Sequence, residues 1–138
     1  GYRFHVSGNY HKAGIKPYDY PHVHFLGYVS TPEYYRYLYR SQVILDLTKY
    51  DNCLVCGAYE AMAAERPLVT SRQKALMSYF DKGTVFTSHD PQSIAQAVRY
   101  AYEKRNTLRE DIKKWKPCAV AAHSNRVQEI RRFFLEHE

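Results

Sequence analysis

The chain has no run of about 18 or more consecutive apolar residues, so no helical membrane span is expected. No basic stretch followed by an apolar one opens it, so no secretory leader is expected. It holds only three cysteines, and an odd count argues against a disulfide framework and for a reducing, cytoplasmic location. Cys53 and Cys56 have CxxC spacing, but no second such pair exists and Cys118 is remote in sequence. Small packing residues are therefore a simpler reading of that pair than a zinc or redox site. Repeats and low-complexity tracts are absent. The first residue is Gly rather than Met, which leads us to expect a piece of a longer protein.

What is present fits one compact α/β domain. The 138 residues suffice for a single core and carry a formal charge of +6. With a pI near 9.2, the chain suits an anionic partner: a nucleotide-sugar, an acidic membrane face or nucleic acid. Tyrosine is abundant, at 14 residues.

Along the chain, Tyr2 to Ser7 alternates aromatic and β-branched residues and reads as a strand ended by Gly8-Asn9. His11 to Pro21 reads as an irregular connection and His22 to Gly27 as a second strand. His22 and His24 share a face, but a zinc site needs further ligands with suitable spacing. Ser30 and Glu33 have capping-box spacing ahead of a helix whose buried stripe is expected to hold Tyr34, Leu38 and Tyr35. The tyrosines and arginines of that helix also fit a stacking surface for nucleic acid, with a packed amphipathic helix the simpler reading.

Val43 to Leu47 is nearly all apolar, as a central parallel strand would be. A loop follows, then a helix expected over Ala58 to Ala64 and a short strand, Leu68 to Ser71. Arg72 and Lys74, after that strand, and Lys49, before the loop, would add positive potential or lie solvated. Thr84 to Thr87 reads as a fifth strand, and Asp90-Pro91 as the cap and first position of a helix with Ile94, Ala97, Val98 and Ala101 on one stripe. Lys104 to Lys116 reads as exposed helix and turn, with Trp115 among lysines as an alternative contact for anionic lipid at the inner membrane face. Pro117 is expected to break this segment, and Ser124 or Asn125 to cap a last helix.

The strand-loop-helix-strand order around Asp51 to Pro67 puts a helix N-terminus at the C-terminal edge of a parallel sheet. Backbone N–H groups and the positive helix end there suit a diphosphate. Glu60, about one turn into the helix, is placed to accept hydrogen bonds from ligand hydroxyls.

Glu60-Ala61-Met62-Ala63 and Pro67-Leu68-Val69-Thr70-Ser71 resemble the donor-binding motif of retaining glycosyltransferases of the GT-B fold. In that family an acidic residue precedes the glutamate by seven intervening residues. Here that position is Asn52, with Asp51 one residue earlier, and Cys53, Leu54 and Val55 stand where loop glycines are usual. The resemblance implies the C-terminal half of a GT-B fold: a Rossmann-like open parallel sheet of about five strands with helices on both faces. It implies transfer of a sugar from a nucleotide diphosphate, such as a UDP- or GDP-sugar, to an acceptor hydroxyl with retention and no cofactor or essential metal. Glu60 would bind the ribose, and Asn52 or Asp51 the donor sugar. Cys53, Leu54, Val55, Cys56 and Gly57 would lie along the diphosphate, and Gly8, Gly27 and Tyr28 beside the base. The acceptor, a glycan or lipid, would bind an N-terminal half outside these residues, as would the family's first strand and glycine-rich turn. A non-catalytic binding module and a basic nucleic-acid binder stand as alternatives, though no nucleic-acid partner is expected.

Overall fold

The structure, a computed structural model, describes residues 1–136. The chain divides into two compact units, Gly1–Ser41 and Gln42–Glu138. All five expected strands form, but as two parallel sheets rather than the single five-stranded sheet expected. Sheet membership is decided by which edges exchange hydrogen bonds, and no ladder joins the two sheets among the described residues.

In the first unit β1 (Phe4–Ser7) pairs in parallel with β2 (Val23–Gly27), His5 opposite His24. The connection between them contains two 3-10 turns, Tyr10–Ala13 and Pro17–Asp19, where sequence reading gave an irregular segment. Asn9 Oδ1 accepts the Lys12 N–H at 3.1 Å, and Gly14, at φ 68°, ends the first turn. Helix α1 (Thr31–Arg40) follows. The expected capping box does not form, because the Ser30 side chain makes no cap bond. Pro32 needs no cap, since it has no N–H, but the Glu33 N–H also goes without the Ser30 hydroxyl, and nothing in the structure explains that. Leu38 is buried and Tyr34 and Tyr37 half-buried, while Tyr35, expected inside, is 47% exposed.

In the second unit the order is β3-β4-β5, with β3 Ile44–Asp46, β4 Leu68–Ser71 and β5 Thr84–Thr87. The central strand of this sheet is β4, whose four residues are all buried, and not the apolar run Val43 to Leu47. Helix α2 (Cys56–Ala63) joins β3 to β4, and a short α3 (Lys74–Tyr79), missed in the sequence, joins β4 to β5. Alternation along β4 divides the core. Leu68 packs with Met62 of α2, Leu76, Phe80 and Ile112, whereas Val69 packs with Ala97 and Ala101 of α4 (Pro91–Glu103). Helices therefore cover both faces of this sheet. Asp90 caps α4 as its sequence requires, accepting the Ser93 N–H at 2.8 Å and the Ser88 hydroxyl at 2.6 Å. These bonds hold its carboxyl well below the usual range.

The last helix, α5, runs unbroken from Arg105 to Glu136 through Pro117, so no separate helix begins at Ser124 or Asn125. The carbonyl that loses its donor to Pro117 belongs to Lys113, an exposed residue whose backbone water can serve. Trp115 packs on the core cluster, and Lys113 pairs with Glu110 at 2.7 Å. Lys116 donates to the Ala63 carbonyl at 2.9 Å, at the C-terminal end of α2. The tryptophan of the suggested lipid-facing cluster is thus turned toward the protein.

Candidate functional site

The expected site residues fall into two groups, one in each unit. In the first, Gly8 and Gly27 close the C-terminal ends of β1 and β2. Their φ values of 105° and 67° suit glycine, and the Gly8 N–H donates to the Gly27 carbonyl at 2.8 Å. With Ser7, Val29, Thr31 and Tyr34 they line an open crevice of about 270 Å³. Tyr28 is part of its lining and 84% exposed, so its ring is available for stacking rather than held in the core.

In the second unit the C-terminal ends of β3 and β4 are tied together by hydroxyls. Thr70 Oγ1 donates to the Asp46 carbonyl at 2.6 Å, and Ser71 Oγ accepts the Thr48 N–H at 2.8 Å. Ser71 Oγ is also hydrogen-bonded to His89 Nε2 at 2.9 Å. Both hydroxyls are fully buried, which costs little because each is satisfied. From Thr48 the chain leaves the sheet and turns at Asp51-Asn52, with Asn52 left-handed at φ 57°. A short polar side chain tolerates that conformation better than most. Asp51 and Asn52 are both exposed on the turn, Cys53 is half-buried, and Leu54 is 37% exposed. Val55 packs against the core and anchors the start of α2.

The helix begins two residues earlier than its sequence implied, so Cys56 and Gly57 belong to its first turn. No side chain of the preceding residue caps it. The carboxylate of Asp46, eleven positions back on β3, does so instead: Oδ2 accepts the Gly57 N–H at 2.9 Å. The approach is close enough that a Cβ at Gly57 would overlap Asp46 Oδ2. Burial pushes the Asp46 carboxyl above its ordinary range, the Gly57 hydrogen bond opposes this, and the nearby Glu60 carboxylate adds to it. Glu60 is half-buried on α2, outside the core cluster. The chain thus brings Asp46, Gly57 and Glu60 together at the start of one helix.

Asp46 and His89 were not singled out in the sequence. The signal for Asp46 was an acid inside an otherwise apolar strand, a local inconsistency of the kind that marks sites. His89 lies two residues past β5, on the edge where ligands of such sheets bind. Of the basic residues offered for a diphosphate, Arg72 donates to the Phe86 carbonyl at 3.2 Å, and Lys49 and Lys74 are exposed. His24 stacks on His5 with ring centroids 5.1 Å apart. Among the described residues no group of three or more His, Cys, Asp or Glu is placed to hold a metal ion. None of the described helices is long and apolar enough to cross a membrane.

No curated protein and no solved structure matches the chain. The profile of the glycosyl transferase-like family matches residues 1–132, nearly the whole length. Parallel strands alternating with helices lie under that match, and the chain belongs to the glycosyl transferase-like family.

Proposed function

We propose that these residues form the donor-binding part, a single Rossmann-like domain, of a retaining two-domain GT-B glycosyltransferase, and that the donor is a UDP- or GDP-sugar. The observation that carries this is Glu60: half-buried, outside the hydrophobic core and close to the start of α2. A carboxylate so held accepts two hydrogen bonds from the vicinal hydroxyls of a ribose. Asn52 or Asp51, exposed on the turn before α2, contacts the donor sugar. Backbone N–H groups of Val55 and Cys56 stabilise charge on the leaving diphosphate. Within the first unit, Gly8, Gly27 and the exposed Tyr28 line a crevice suited to stacking a base. The acceptor, a glycan or lipid, binds outside these residues.

Glu60→Ala removes a charged hydrogen-bond partner worth about 1.5–3 kcal/mol. Affinity for the nucleotide-sugar, measured by calorimetry on the full-length protein, is expected to fall at least about tenfold. Unchanged affinity refutes the assignment. A second reading, a non-catalytic nucleotide-sugar-binding module, is favoured by the neutral amide of Asn52 where the family carries an acid. Sugar transfer by the full-length protein separates the two.

A further inference from the structure

Asp46 takes a backbone N–H in the first turn of α2, the turn that the donor reading gives to the diphosphate. Its carboxylate Oδ2 takes the Gly57 N–H, and a glycine with no Cβ at position 57 leaves room for it. The position is fixed from behind, because the Asp46 carbonyl accepts the Thr70 hydroxyl from the buried central strand. The backbone of Asp46 is held at the end of β3, and its carboxylate is held by the Gly57 N–H. Like charges repel, and the field of a helix N-terminus that already holds one carboxylate attracts a second anion less strongly.

We infer that Asp46 is a specificity-determining residue of the donor site, weakening the hold of α2 on diphosphate while leaving hydroxyl recognition by Glu60 intact. This rests on the donor reading above and adds to it. With Asp46 ionised, two carboxylates, Asp46 from β3 and Glu60 from α2, lie near the start of the helix. Glu60 accepts the ribose hydroxyls, and the added charge of Asp46 disfavours phosphate. Protonation of Asp46, or its replacement by an amide, removes one charge and keeps the acceptor for Gly57. Because burial and then Glu60 push this carboxyl upward, against the pull of the Gly57 bond, the charge comes off at a higher pH than for a free aspartate.

The groups that face Asp46 can be named by element. From α2 come the Gly57 N–H and the Glu60 carboxylate. From β4 comes the neutral hydroxyl of Thr70, bonded to the Asp46 carbonyl, while the neighbouring Ser71 holds His89. His89 is a second ionisable side chain beside this edge, held by Ser71, and His89→Gln is the control that removes it.

The test is calorimetric binding of UDP and GDP to the full chain and to D46N, with uridine and guanosine as uncharged probes. At about pH 7.5, D46N is expected to bind the diphosphate about tenfold more tightly than the native protein, with nucleoside affinity unchanged. Lowering the pH to about 5.5 is expected to narrow that gap, in the His89→Gln background as well. Asp46→Ser, which keeps an acceptor without charge, carries the same expectation if D46N folds poorly. Equal diphosphate affinity of native and variant proteins at both pH values overturns the role of Asp46 alone. Failure of every nucleotide to bind either protein overturns the donor reading, and this inference with it.

Discussion

Single residues at the two ends of α2 break local preference. At its C-terminus the Glu65 N–H reaches the Met62 carbonyl at 3.2 Å and the Arg66 N–H the Ala61 carbonyl at 2.8 Å. This is a Schellman ending, whose left-handed position normally falls to glycine, yet here Glu65 adopts it at φ 54°. Its carboxylate meets Lys116 at 3.4 Å, a partly exposed pair of small worth. The left-handed backbone costs a residue with a Cβ about 1 kcal/mol. Glu65→Gly is therefore expected to raise stability by about 0.5–1 kcal/mol in urea unfolding. A loss would show that the tie to α5 outweighs the backbone. Nothing in the sequence separates Glu65 from an ordinary surface glutamate, because the demand for φ > 0 comes from how α2 hands over to β4.

At the scale of elements, β1 and β2 bring two imidazoles face to face. Partial burial, the neighbouring His24 and then Arg3 lower the affinity of His5 for a proton. For a base whose folded pKa is lowered, the unfolded chain binds the proton more readily. Stability from this pair is therefore present above the ordinary histidine range and is lost as pH falls through it. Amide protection in β1 and β2 is expected to drop between about pH 7 and pH 5, and to drop less in His24→Gln. Equal loss in the variant would place the cause elsewhere. The opposition of His5 to His24 depends on parallel register, which no local pattern states. By contrast the start of α4 was legible in two residues, since Asp90 and Pro91 carry their own cap and φ. Pro117 misled because its penalty is local, whereas α5 is held on the core by Ile112 and Trp115 before the proline is reached.

In the whole molecule the two units differ in how much they bury. Leu38 is the buried hydrophobic residue of the first unit, whereas the second holds two core clusters around a strand with no exposed residue. Native-state hydrogen exchange is expected to release β1 and β2 well before β4. Simultaneous exchange of all three would mean that the units open as one. Strand positions were readable from alternation and apolar runs, because those patterns are properties of each segment. The division into two sheets was not, because strand partnership joins residues far apart in sequence. The same holds for Asp46, whose acid was visible while its partner lay beyond a loop. The tie between Asp46 and Gly57 consequently runs one way: any side chain gained at position 57 displaces the carboxylate, whereas Asp46 can be exchanged with the glycine kept. Over evolutionary time position 57 is therefore confined to glycine for as long as an aspartate stands opposite it.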